Sequence, residues 1–598
     1  MSTTFGALVE AGGTRFAVRS ATPVTLCLFD GDVERRIPMK GKGAVWSVWV
    51  AGVGPGVCYG YRAEADPTKL LVDPYAVELD RPFMYDPKLG EPAVDTAGLV
   101  PLAIVPPPSS DPKQAEGDAA TLPPPLFTPG GLIYELNVRG FTKLHPAVPE
   151  EQRGTIAALA HPAIVAHFRK LNVAAIELMP IVAWIDERHL PPLGLTNSWG
   201  YNPVVPMAID PRLAPGGVAE LTHTITKLRE AGIGVILDLV FNHTGESDRL
   251  GPTLSLRGLD EALYYAHASD GTLINDTGTG NTLDCSRPEV RALILDSLRH
   301  FARCGVDGFR FDLATVLARG PRFDAQAPIF AEIAADSLLA SRIMIAEPWD
   351  IGPGGYQLGH FPAHWLEWND RYRDDVRRFW RGDGSAGDLA TRIAGSDDIF
   401  AHGTTRTVNF IAAHDGFTLT DLVTYAERHN HANGEHNRDG HADNHSWNNG
   451  VEGPTDDPAL RQRRNDDLRA MLATLFASRG TIMLTAGDEF GRTQRGNNNA
   501  YAQDNPIGWI DWQDRDRALE GFVAALAAFR AAHGVGDPAP YPHSDWRALN
   551  GDRMTAANWQ EAAGFELRLP AGEAEVALRF DRSTRRVSLS HRTIVESR

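Results

Sequence analysis

The chain has 598 residues, 43% of them hydrophobic and 22% charged, with a net charge of −18. That length exceeds one ordinary core and implies two to four domains, and the composition is that of a soluble globular protein. The acidic balance argues against a polyanionic partner such as nucleic acid or an anionic membrane face, and no run reaches the roughly 18 apolar residues of a membrane span.

In chain order, Met1 to Ala7 hold neither a basic segment nor an apolar core, so no secretory signal peptide is visible. Cys27, Cys58, Cys285 and Cys304 are scattered and form no CxxC pair, which reads as isolated thiols in a reduced compartment. Both features predict a cytoplasmic protein. Residues 15–19, 24–29, 45–50 and 57–63 are alternating or β-branched runs separated by glycine and proline, which predicts a small β-sandwich within residues 1–105. Residues 106–126 carry Pro106-Pro107-Pro108 and Pro123-Pro124-Pro125 around a polar middle. Such a stretch cannot continue a helix or a central strand, so it predicts a linker or an extended surface crossing.

From Leu132 the rhythm becomes strand, helix, strand. Candidate strands cover 132–138, 173–178, 234–240, 306–311, 342–346, 365–368, 407–413 and 481–486. Between several of them lie amphipathic helices: Leu221, Ile225 and Leu228 form one apolar stripe, and Val290, Leu293, Ile294, Leu298 and Phe301 another. Eight strands in series with intervening helices predict an α/β fold, a (β/α)8 TIM barrel over residues 127–535, with an open doubly wound sheet as the alternative. After residue 535 the runs 565–569, 575–580 and 586–590 turn β-like again, which predicts a short C-terminal β domain over 536–598.

Three of the barrel strands deliver an acid: Gly308 to Asp312, Ile343 to Glu347, and Val408 to Asp415. A carboxylate directly after a buried strand is costly for folding, because its charge sits where desolvation begins. Three of them at the carboxyl ends of barrel strands, where such folds build their sites, point to a reaction centre. Two carboxyl groups on one bond, with a third to hold the ring, is what cleaving a sugar linkage requires. Arg310 leaves its strand on the same side as Asp312 and is either a structural ion pair or the group that keeps a nucleophile ionised. Glu347, beside two other acids, is the one whose pKa should rise, the condition for a general acid. His414-Asp415 also suits a capping aspartate with a satisfied histidine. Asp238 to His243 ends a further strand; His243 can donate to a sugar hydroxyl, while Asp238 orients neighbours from within the barrel. The loop Asn197 to Pro203 sets Trp199 and Tyr201 to stack on a pyranose or to pack on their own domain. Asn430 to Asn448 is rich in histidine, asparagine and aspartate but lacks metal-site spacing, so it predicts a polar loop on the substrate side and no metal.

The cassettes around His243, Asp312, Glu347 and Asp415 resemble the signature regions of the α-amylase superfamily, glycoside hydrolase family thirteen. Ile133-Tyr134-Glu135-Leu136-Asn137-Val138-Arg139-Gly140-Phe141-Thr142 looks like the barrel entry of isoamylase-type enzymes, as do Trp199 to Pro203 and Asn433 to Gly440. Ala486 to Gly491, followed by Gly496 to Tyr501, is similar to the bacterial glycogen debranching enzymes in particular. The resemblance runs from about residue 14 to 560. It implies hydrolysis of α-1,6 branch linkages in glycogen or phosphorylase limit dextrin, with retention, no cofactor and a branched α-glucan as partner. Asp312 would be the nucleophile, Glu347 the general acid/base and Asp415 the transition-state stabiliser, with Tyr201, His243, Arg310 and His414 lining the subsite of the reacting glucose. The N-terminal sandwich, with Leu70 to Tyr75 after it, would resemble a family forty-eight carbohydrate-binding module, whose Trp46, Trp49, Tyr59 and Tyr61 either bind glucan or form core. Alternatives are a branching enzyme, a malto-oligosyltrehalose trehalohydrolase, or a non-catalytic glucan-binding subunit; the last would lack an acid or subsite histidine, and none is missing. The tail after Trp559 is short for a debranching enzyme, which implies a reduced or rearranged final domain.

Overall fold

The computed structural model describes residues 4–107, 122–400, 403–541, 543–571 and 574–593. Its first eight strands are β1 (Gly6–Glu10), β2 (Gly13–Arg19), β3 (Val24–Asp30), β4 (Val33–Pro38), β5 (Lys40–Lys42), β6 (Val45–Ala51), β7 (Cys58–Ala63) and β8 (Ala103–Ile104). They form two antiparallel sheets, β1-β2-β6-β5 and β4-β3-β7-β8, that bury Phe16, Val18, Leu26, Tyr59 and Tyr61 in a common core. The Tyr59 and Tyr61 hydroxyls both donate to the buried Asp73 carboxylate, at 2.9 and 3.1 Å. These two rings are core. Trp46 is half-buried with its indole donating to the Ser20 carbonyl, whereas Trp49 is 48% exposed and is the one of the four aromatics that faces solvent.

The sandwich shares its core with Val204, Val205, Leu254 and Leu259 of the following domain. Backbone hydrogen bonds cross the junction as well, from Ala21 to Leu259 and from Val72 to Leu254. Of the proline-rich stretch expected to be a linker, 108–121 lie outside the described residues. Beyond it, the carbonyls of Pro123 and Pro124 accept from Arg342 and Arg229, and the Leu126 N–H donates to Asp307. Those contacts fasten the chain to the end of the barrel where the strands begin.

The barrel strands are β9 (Leu132–Leu136), β10 (Ala175–Leu178), β11 (Gly234–Leu239), β12 (Gly308–Phe311), β13 (Ile343–Ala346), β14 (Leu366–Asn369), β15 (Thr407–Asn409) and β16 (Thr481–Thr485). Each pairs in parallel with the next, and β16 pairs back to β9, so the sheet closes and the open doubly wound alternative is excluded. The strands are buried almost throughout, because helices cover the outer face and side chains fill the interior; that is why they read as apolar runs without alternation. Ile133, Ala175, Ile236, Ile345, Trp368, Val408 and Met483 fill the inner core. The helices Gly217–Glu230 and Pro288–Arg303 bury both predicted stripes. β15 is shorter than its apolar run: after Asn409 the chain leaves the ladder and carries His414 and Asp415 over the mouth.

The last sheet is β17 (Asp545–Ala548), β18 (Gly564–Ala571), β19 (Ala574–Asp581) and β20 (Arg586–Thr593), antiparallel in chain order. It packs on the helix Pro458–Phe476. From the β19–β20 turn, Arg585 reaches the fully buried Asp467 of that helix at 2.5 Å. Among the described residues no helix is long and apolar enough to cross a membrane.

Candidate active site

Parallel pairing sets the site by register. Asp238 on β11 pairs with Arg310 on β12, and Glu135 on β9 pairs with Glu177 on β10, so four charged side chains enter the barrel in one zone. Arg310 has no exposed surface and joins three acids. Its Nη1 donates to both Asp238 oxygens at 2.9 Å and to Asp312 Oδ1 at 3.0 Å, and its Nη2 lies 3.2 Å from Glu347 Oε2. The guanidinium rests over the Trp368 ring at 4.3 Å. Arg310 was expected to line the sugar subsite; its burial instead puts it behind the acids, with no surface left for a sugar.

Asp312 follows β12, and Leu313 then turns the chain through the left-handed region at φ 40°. A leucine held there costs about 1–3 kcal/mol, and the turn aims its N–H at Glu347 Oε2, 2.6 Å away. Asn242 donates to Asp312 twice, to Oδ2 at 2.7 Å and to the carbonyl at 2.8 Å. Burial, reinforced by the charges of Asp312 and Asp415, pushes the Glu347 carboxyl up to about 8 despite Arg310 and the Leu313 N–H. That direction favours the protonated form, the state a general acid needs. Burial also raises Asp238, to about 6, with Arg310 opposing and Asp312 adding. Its oxygens accept from Arg310 and the Tyr201 hydroxyl, the orienting part expected of it.

Asp415, past the end of β15, is about a third exposed. Burial of its surroundings opposes ionisation, but His441, His414 and Arg373 outweigh that and hold the carboxyl well below the usual range. His414 is largely enclosed and its Nδ1 meets Glu135 Oε1 at 2.7 Å, while Thr485 donates to the other Glu135 oxygen at 2.8 Å. Burial opposes a charge on His414, yet the Glu135 carboxylate beside it raises the imidazole to about 9. Tyr201 stacks on His414 at 4.8 Å and Trp199 meets the same ring edge-on at 5.0 Å.

His243 differs from expectation. It is 2% exposed, with Nε2 2.9 Å from the Tyr201 carbonyl and Nδ1 against Asn242 Oδ1. Both nitrogens are taken by the protein, so His243 braces Asn242 and the Tyr201 backbone and does not present a donor to a sugar hydroxyl. The acids Asp312, Glu347 and Asp415, with Tyr201 and His414, do come together at the mouth. Sequence reasoning gave no role to Asn242 and Glu135, although both stand inside cassettes it singled out, nor to His441. Glu177 was also missed: it is fully buried, neither oxygen has a hydrogen-bond partner among the described residues, and burial followed by the charges of Asp238 and Glu135 raises its pKa strongly. Among the described residues no group of three or more His, Cys, Asp or Glu side chains is arranged to hold a metal ion.

Residues 4–76 match the family described as carbohydrate-binding module 48 (isoamylase N-terminal domain). The chain is 47% identical over 557 residues to the glycogen debranching enzyme of Yersinia enterocolitica, covering 88% of this chain and 83% of that protein. It is 42% identical over 640 residues to the glycogen debranching enzyme of Serratia proteamaculans, covering 98% and 96%. In fold it is similar to the pullulanase of an Anoxybacillus species complexed with maltotetraose (TM-score 0.72, 23% identity, 96% of this chain and 81% of that one). The apo pullulanase of Paenibacillus barengoltzii is likewise similar (TM-score 0.74, 22% identity, 97% and 88%).

Proposed function

The chain belongs to the glycogen debranching enzyme family, and on that premise we propose that it hydrolyses α-1,6 branch linkages in glycogen or phosphorylase limit dextrin by double displacement with retention. The observation that carries the mechanism is the shared guanidinium: Asp312 and Glu347 touch the two terminal nitrogens of Arg310. That confines the two carboxyl groups to neighbouring positions, in keeping with the about 5–5.5 Å separation of retaining enzymes. Asp312, aligned by Asn242 and Arg310, attacks the anomeric carbon. Glu347 delivers its proton to the oxygen of the departing chain, then takes one from the water that opens the glycosyl-enzyme. Asp415 holds hydroxyls of the distorted ring. His414, charged by its pairing with Glu135, donates to the same glucose from its other nitrogen, and the Tyr201 ring forms a wall of the subsite.

Phosphorylase limit dextrin tests the reading. The wild-type protein releases new reducing ends and deepens iodine staining, and the first-formed product has the α configuration by proton NMR. Asp312→Asn lowers turnover by several powers of ten, because the nucleophile and its orientation both contribute. Near-normal debranching by that variant would overturn the assignment. A cytoplasmic setting belongs to the proposal and is supported by the four unpaired cysteines, three of them buried.

A further inference from the structure

The loop around residues 430–448, expected from sequence to be a polar loop on the substrate side, delivers one imidazole to the reaction centre. His441 Nε2 lies 3.5 Å from Asp415 Oδ2, while 53% of the His441 side chain remains exposed on the substrate side of the barrel. Its backbone is pinned from two segments. The His441 carbonyl accepts from Asn444 at 3.1 Å and from Asn498 at 2.9 Å, and Asn498 also donates to the Asn444 side chain. Beneath them the buried Arg377 donates to the Asn444 carbonyl and, through two nitrogens, to the Ile411 carbonyl. Ile411 belongs to the segment that leads into His414 and Asp415. One guanidinium therefore ties the chain carrying the third acid to the loop carrying the imidazole beside it.

Such bracing is unlike a loose surface histidine. Asp415 is about a third exposed, so without a neighbour its side chain is free to rotate away from the mouth. An imidazole held 3.5 Å from one oxygen leaves the other to meet hydroxyl groups, and more than half of its own side chain stays open to solvent. Other ionisable groups around this spot are Arg373 and Arg377 from the helix Asp370–Arg381, His414 next to Asp415 in the chain, Asp443 from the loop itself, and Glu347 after β13, whose carboxyl feels the Asp415 charge.

We propose that His441 is a positioning residue for Asp415, holding the third carboxylate toward the glucose and lining the edge of the same subsite. The proposal rests on the debranching reading and assigns a residue of this chain to it. It requires a donor at position 441, not a charge, so an amide that reaches the same oxygen partly replaces it.

The test compares His441→Ala with His441→Gln on phosphorylase limit dextrin, with melting temperature measured on both. His441→Ala is expected to lose about tenfold or more in kcat/KM, with kcat carrying part of the loss and the melting temperature within about two degrees of wild type. His441→Gln is expected to recover at least half of that loss on a logarithmic scale. Full activity in His441→Ala, or equal loss in the two variants, would overturn the proposal. Calorimetric titration of maltohexaose into Asp312→Asn and into Asp312→Asn/His441→Ala separates this idea from the reaction assigned above. About fivefold weaker binding in the double variant supports His441 even if the wild-type protein opens no branch, and equal binding counts against it.

Discussion

Raising the pH through the titration of Glu347 should separate its two duties. Burial and the neighbouring acids raise this carboxyl to about 8. A group with that value is about nine-tenths protonated at pH 7 and about one-tenth protonated at pH 9, so any step needing its proton slows by roughly tenfold between them. On limit dextrin the departing group is a sugar alkoxide, which needs that proton. On maltotriosyl fluoride it is fluoride, which leaves with little help, and the later hydrolysis of the glycosyl-enzyme uses Glu347 as a base. The expected result is an alkaline limb near pH 8 in kcat/KM for limit dextrin and no such fall for the fluoride. Glu347→Gln should abolish turnover of the dextrin and retain formation of the glycosyl-enzyme from the fluoride, seen as a burst. If the two substrates decline in parallel above pH 8, or dextrin hydrolysis stays level to pH 9, the acid is not Glu347 or is not held protonated by its surroundings.

Two further predictions concern stability. Glu177 is buried without a hydrogen-bond partner among the described residues, and its pKa in the folded protein lies far above the unfolded value. For an acid shifted in that direction, stability is intact below the unfolded pKa and is lost as pH rises from there toward the folded pKa. Glu177→Gln, neutral at all pH, should therefore raise the melting temperature at pH 8 and change it little at pH 4; a lower value at pH 8 would show that the carboxylate form is the one accommodated. Arg585→Ala strips Asp467 of its charged partner and, among the described residues, leaves it the Trp447 indole and the Asn449 amide, each donating at 2.9 Å. Leaving that buried carboxylate under-paired should cost about 1–3 kcal/mol, read by thermal unfolding, and an unchanged melting temperature would mean that the final sheet does not brace the helix Pro458–Phe476.

The barrel strands were legible because each is a local fact. A strand covered on both faces must be apolar along its length, and a run such as Gly234–Leu239 announces that without knowledge of its neighbours. The acids were legible for the converse reason, since a charge abutting such a run has no packing purpose. What stayed hidden were short edge strands such as Lys40–Lys42 and Ala103–Ile104, whose residues acquire strand geometry only by pairing with a longer partner. His243 was misread on the same ground: its residue type suits a sugar donor, but the Tyr201 carbonyl and Asn242 amide that occupy it come from the closed barrel and its loops. Tyr59 and Tyr61 became core residues only once Asp73 was seen to accept both hydroxyls.

Sequence by itself therefore determined the eight-stranded order and the flanking β domains, and marked Asp312, Glu347 and Asp415 as candidate acids, because burial and strand-end chemistry are written in neighbouring residues. Tertiary structure decided which group serves which. It buried Arg310 behind three acids, raised Glu347, paired His414 with Glu135, and brought His441 to Asp415 through an arginine on another helix. Those outcomes depend on distances and desolvation between side chains tens to hundreds of positions apart, and only closure of the barrel sets them.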